Sequence, residues 1–214
     1  MDKPFRPIRR TRMKKTQPHA PQVRELLLQA LETEQGGIKI YEAAVECAVN
    51  EDLHKEWQGY LAETRNHEKV LLNVFKELGL DPKQRSPGRE VVGHIGQALE
   101  QAIRMAQKAG DPDAAQRVAA ECVVLAETKD HMNWELIGHL VEHAKGDGLE
   151  VLKQAHEAVE SDEDHHLYHT TGWTRELWIE SLGLPAVLPP PEEIKQVETA
   201  IGAARAEKAR SQML

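Results

Sequence analysis

Glu160-Ser161-Asp162-Glu163-Asp164-His165-His166-Leu167-Tyr168-His169 places four acidic residues and three histidines inside a segment that otherwise keeps a helical period. Followed in both directions at steps of three and four, the inward stripe reads Leu149, Leu152, His156, Val159, Glu163, His166, Thr170, Trp173 and Leu177. Glu163 and His166 therefore interrupt an apolar stripe about one turn apart, on one helix face. A carboxylate and an imidazole removed from water without partners cost several kcal/mol, so such a stripe must bring them a charge or hydrogen bonds. A metal ion supplies both.

The rest of the chain shows the same interruption. A first long helix is expected from near Pro21 to about Val49, with Glu34 in its stripe and Gly36-Gly37 beside it. Two adjacent glycines weaken a helix by about 1 kcal/mol each relative to Ala, which points to a close approach or a local irregularity there. A second helix, about Glu51 to Leu78, carries Leu53, Trp57 and Tyr60, then Glu63 or Thr64, His67, and an apolar run to Gly79. A short amphipathic helix through Val92, Ile95, Leu99 and Ile103 follows, so the link to the next long helix is long enough to cross a bundle. Asp111-Pro112 opens the third long helix, expected to reach about Lys145. Its interruption is Glu127, Asp130 and His131, and two registers are open, one turning Glu127 and His131 inward and the other Asp130 and Trp134. The fourth helix is expected as one piece from Leu149 to Leu182, and a last one over Glu192 to Met213 after Pro189-Pro190-Pro191.

The fold class is all-α, and the expected organisation is an extended basic arm (1–20), a four-helix bundle (21–184) and a proline break with a C-terminal helix (185–214). The arm carries +6 and the whole chain −8, which leaves −14 on the remainder. An acidic body argues against nucleic acid as the main partner and favours cations, although the arm itself suits an anion. Cys47 and Cys122 are too few for a disulfide framework, no apolar run approaches a membrane span, and no secretory signal opens the chain. A cytoplasmic protein is the expectation.

Four carboxylates, Glu34, Glu63, Glu127 and Glu163, thus interrupt four stripes, two of them with a histidine nearby, His67 and His166. Held at one level they repel one another unless about four positive charges sit among them, which two divalent ions provide. Carboxylate and imidazole donors suit iron or manganese, and zinc could occupy such a site on isolation.

Glu34 with Tyr41 seven residues later, Tyr60-Leu-Ala-Glu63-Thr-Arg-Asn-His67, and Asp162-Glu163-Asp-His-His166 resemble the ferritin-like superfamily, most closely the YciF-type bacterial stress proteins. The resemblance covers about residues 22–182. It implies a ferritin-like bundle whose helix-two to helix-three crossover carries a short helix, with Glu34 and Glu127 as terminal ligands, Glu63 and Glu163 as bridging ligands and His166 as a nitrogen ligand. One departure bears on this: the usual Glu-x-x-His is Glu63-Thr-Arg-Asn66 here, and His67 arrives one position late. Asp130 or His131 can also replace or supplement Glu127.

The expected function is a di-iron or di-manganese protein of ferroxidase-like or peroxide-consuming type, acting on O₂ or hydrogen peroxide under oxidative or metal stress. Tyr41 is the candidate electron source or hydrogen-bond donor beside Glu34, against a plain core aromatic. His165 and His169 are expected on a wet flank. A homo-oligomer, a dimer in preference, is expected. The rival reading is a scaffold or interaction protein of the same fold with a degenerate metal site.

Overall fold

The computed structural model describes residues 17–214, and the expected basic arm lies outside them as far as residue 16. Eight α-helices occur among the described residues: α1 (Ala20–Cys47), α2 (Glu51–Glu77), α3 (Pro87–Ala109), α4 (Pro112–His143), α5 (Leu149–Glu157), α6 (Glu160–Ser181), α7 (Pro191–Ile194) and α8 (Ala200–Ala209). There is no strand among those residues.

The helix ends follow from local chemistry. Asn50 begins α2 by accepting from the backbone N–H groups of Asp52 and Leu53 at 3.0 and 3.2 Å, and Asp111 begins α4 by accepting from Ala114 N at 3.0 Å. Ser86 caps α3 in the same way, and Pro87 and Pro112 occupy first-turn positions whose N–H would have no helical partner. Gly110 ends α3 at φ 84°, a left-handed conformation that glycine takes without the usual steric cost.

The bundle has two apolar ends with a polar layer between them. One end gathers Ile40 and Ala44 of α1, Leu53 and Trp57 of α2, Ala119 and Val123 of α4, and Trp173 and Leu177 of α6. The other gathers Leu27 and Leu31 of α1, Leu71 and Phe75 of α2, Trp134 and Ile137 of α4, and Leu152 and Val159 around α5. Chain order through these ends fixes the directions: α1 and α6 run one way, α2 and α4 the other. Two consecutive bundle helices pointing the same way need a connection that travels the bundle's length, and α3 is that connection. It lies on α1 and α4 and puts Ile103 into the first apolar end.

Gly36 explains how α3 can lie so close. A Cβ placed on it would stand 3.7 Å from the Cα of Gly96 in α3, and one on Gly37 would stand 3.3 Å from Thr64 Cγ2 in α2. The paired glycines thus serve close approach to α3 and α2, and α1 stays a continuous helix across them.

Two expectations fail. The fourth helix is not one piece: it breaks at Ala158-Val159 into α5 and α6. Val159 is wholly buried in the second apolar end, and the new start places Asp162 and Glu163 in the first turn of α6, where the helix dipole favours negative charge. The C-terminal helix is also divided, because residues 195–199 leave helical geometry, with Gln196 at φ 49°, before Thr199 caps α8.

The C-terminal segment docks on α6. Glu176, fully buried, accepts from Val187 N at 2.8 Å and from Arg210 Nε at 2.7 Å, and the Arg175 guanidinium holds Glu192 through two 2.8 Å bonds. Gly172 makes room for this: a Cβ there would fall 2.5 Å from Glu192 Oε2 and 3.0 Å from Pro190 Cβ.

Candidate metal centre

The polar layer is built from α1, α2, α4 and α6. Glu34, His67, Glu127, Asp130, Glu163 and His166 are each at most 4% exposed. One atom of each lacks a well-formed hydrogen bond, namely Glu34 Oε2, His67 Nδ1, Glu127 Oε2, Asp130 Oδ1, Glu163 Oε2 and His166 Nδ1, although His67 Nδ1 lies 3.0 Å from Glu163 Oε1 and His166 Nδ1 3.5 Å from Glu127 Oε2. Buried polar atoms are nearly always paired, so six orphans in one layer require a common explanation.

Their arrangement forms two groups that share one carboxylate. Donor atoms of His67, Glu163 and His166 lie within 4.8 Å of one another, and so do those of Glu34, Asp130 and Glu163. Glu127 joins the first group, 3.5 Å from His166 Nδ1. Four buried carboxylates and two imidazoles could hold divalent cations, and Glu163 belongs to both groups.

Contacts outside the layer set the orientation of these side chains. The Trp134 indole N–H donates to Glu34 Oε1 at 2.9 Å, which leaves Oε2 facing the layer. His67 Nε2 pairs with Asp162 Oδ2 at 3.1 Å, and His166 Nε2 pairs with Glu63 Oε2 at 2.9 Å. Each histidine therefore spends its outer nitrogen on a carboxylate at the rim and turns Nδ1 inward. A carboxylate behind the ring fixes tautomer and orientation and raises the basicity of the inner nitrogen.

The electrostatics carry the same strain. Burial, together with Asp130 and Glu163, raises Glu34 well above the usual carboxylate range, and burial with Glu163 and Glu127 does the same to Asp130. Glu163 is also raised, by burial first, with the His67 hydrogen bond opposing. Burial works to lower His166, but its bonds to Glu127 and Glu63 outweigh it and push it up to about 10. A buried ion costs several kcal/mol against a total folding stability of about 5–15 kcal/mol, so these carboxylates cannot all stay ionised uncompensated.

Several expected roles change. Glu63 is not in the layer: its side chain is 43% exposed and reaches the centre only through His166. The helical period of α2 places Tyr60, Thr64 and His67 on its inner face, so the carboxylate at 63 falls at the edge, and Asp130 takes the fourth buried position instead. His67 faces inward while Asn66 is exposed, so the late histidine is the one that meets the layer. In α4 the two registers merge, with Glu127, Asp130 and Trp134 all buried. His131 is turned away, pairing with Asp164 Oδ1 at 2.8 Å. A cavity of about 220 Å³ lined by His131, Asp164, Trp134 and Tyr168 abuts Glu163 from that side.

Tyr41 is 1% exposed, with its hydroxyl unpartnered, and burial with Glu127 raises its phenol well above the ordinary range. It stands edge-on to His166 at 6.0 Å between ring centroids. His169, expected on a wet flank, is 3% exposed, because the C-terminal segment covers it. Sequence periodicity around α6 could not show that, since the covering residues Glu193 and Val197 lie far along the chain, Val197 by 28 positions.

No protein-family model, curated protein or solved structure matches this chain.

Proposed function

We propose that the polar layer is a dinuclear carboxylate metal centre of ferritin-like type, for iron or manganese, and that the protein is an oxidoreductase of ferroxidase-like or peroxide-consuming kind. The observation that carries this reading is the set of six buried, unpartnered donor atoms on four helices. The directions of the four helices, α1 and α6 one way and α2 and α4 the other, with α3 spanning the link between the parallel pair, also suit a ferritin-like connection.

Glu34, Asp130 and Glu163 would hold one ion, and His67, Glu127, Glu163 and His166 the other. Such a pair of redox-active ions, when bound, supplies two electrons to O₂ or peroxide. Around it the chain does the following. Trp134 orients Glu34, and Asp162 and Glu63 orient the two histidines. The apolar ends exclude bulk water from both sides of the layer. Tyr41, buried next to His166 and Glu127, would give one electron to the oxidised centre as its proton passes to Glu127.

The rival reading, a scaffold that keeps the acidic interior without redox work, is favoured by the pairs His67–Glu163 at 3.0 Å and His166–Glu63 at 2.9 Å, which neutralise part of the charge within the protein. Anaerobic loading with Fe(II), followed by mixing with O₂ or hydrogen peroxide and stopped-flow detection of Fe(III), separates the two. Oxidation much faster than free Fe(II), lost in Glu163→Ala, supports the oxidoreductase. Oxidation at the rate of free Fe(II) in the folded protein leaves the scaffold.

A further inference from the structure

We infer that a second cation site, separate from the dinuclear centre, lies where the C-terminal segment meets the bundle, with Glu56 of α2, His169 of α6 and Glu193 of α7 as its protein ligands. Donor atoms of the three residues fall within 4.8 Å of one another, and none belongs to the centre described above.

The two ring nitrogens of His169 meet different partners. Its Nε2 lies 3.0 Å from Val197 O, an acceptor only, so the ring proton of neutral His169 sits on Nε2. Nδ1 is then a bare lone pair. Around it stand Glu193 Oε2 at 2.6 Å and the Tyr60 hydroxyl oxygen at 3.3 Å. Tyr60 has one proton and donates it to Glu56 Oε1 at 2.8 Å, so nothing is left to give Nδ1. Glu193 Oε2 is itself buried without a hydrogen bond of sound geometry. A buried imidazole lone pair thus faces carboxylate oxygen; in the metal-free protein a proton on Nδ1, favoured by Glu193, answers this, and a divalent cation among the three groups would displace that proton.

The surroundings resemble a prepared ligand set. Tyr60 and the Trp173 indole N–H, at 2.6 Å from Oε2, fix both oxygens of Glu56, and Val197 O fixes the His169 ring. Outer contacts of this kind hold metal ligands in place. One imidazole and two carboxylates suit a divalent ion of the zinc, manganese or iron class, with water completing the shell. Because Glu193 comes from α7, the ion would tie the C-terminal segment to α2 and α6.

The test uses the full chain stripped of metal, Zn²⁺ as the probe, and equilibrium dialysis with metal counted per chain. Glu163→Ala removes the carboxylate shared by the main centre and should still retain about one zinc per chain, and adding Glu193→Ala should abolish that binding. Zinc should also slow proteolysis after Lys195 in Glu163→Ala, and not in the double variant. Circular dichroism establishes that each variant is folded. A folded Glu163→Ala protein that binds no zinc, or one whose zinc is indifferent to Glu193→Ala, overturns the site. Neither result touches the dinuclear centre, which is tested through its own ligands.

Discussion

Trp134 and Glu34, a hundred residues apart in the chain, meet through a 2.9 Å indole N–H to carboxylate bond that engages Oε1 and leaves Oε2 of a fully buried glutamate unpartnered. The bond orients the carboxylate rather than neutralising it. Trp134→Phe keeps most of the packing in the second apolar end and removes the donor. Metal affinity should fall roughly 10–100-fold, measured by competition with a chelating dye, with the fold retained. Unchanged affinity would mean that Glu34 needs no orientation from Trp134.

Glu163 and Glu63 should separate cleanly. Glu163 is common to both donor groups, and Glu63 only backs His166. Glu163→Ala should lose both ions of the centre, whereas Glu63→Gln should keep both and weaken the one beside His166 by roughly 10–100-fold. Elemental analysis after reconstitution at matched free metal checks this. Loss of both ions in Glu63→Gln would restore a bridging role to that residue.

The metal-free protein should become less stable as pH rises. Glu34, Asp130 and Glu163 have folded pKa values raised above those of the unfolded chain, so the folded state holds more protons, and stability falls as pH climbs past the ordinary carboxylate range. His166 acts in the same direction: its contribution is complete below the usual imidazole range and is lost as pH passes its folded value of about 10. Chemical denaturation of metal-free protein between mildly acid and mildly alkaline pH should show the decline. In Glu34→Gln, which keeps the Trp134 bond without the charge, the decline should be shallower. A metal-free protein whose stability is flat over that interval would count against four ionisable groups crowded in one layer.

Gly172→Ala should loosen the C-terminal segment, since the added methyl meets both Pro190 Cβ and a Glu192 carboxylate that Arg175 holds in place. Overpacking of this kind costs about 1–3 kcal/mol. Faster proteolysis after Lys195 with little change in bundle helicity is the expected result; an unaffected cleavage rate would show that α7 moves aside freely.

The bundle was legible in the sequence because periodicity reports which face of a helix is buried. Glu34, Glu127, Glu163, His67 and His166 stood out as polar residues on apolar stripes. Periodicity does not resolve a small rotation of a helix about its axis, and such a rotation separates Glu63 at the rim from Asp130 in the layer, and His131 on the outside from Glu127 within. The break at Ala158-Val159 has no glycine or proline to announce it; packing of Val159 and the acidic first turn of α6 accompany it. His169 was misread for a different reason, because only the fold brings Glu193 and Val197 over it.

The central claim is that the six unpartnered atoms surround two ions. Anomalous difference maps from crystals of manganese-loaded protein test it most directly. The account predicts two peaks about 3.5–4 Å apart, both within bonding distance of Glu163, one beside Glu34 and Asp130 and the other beside His67 and His166. Density for a folded bundle with no anomalous peak in that layer would contradict it.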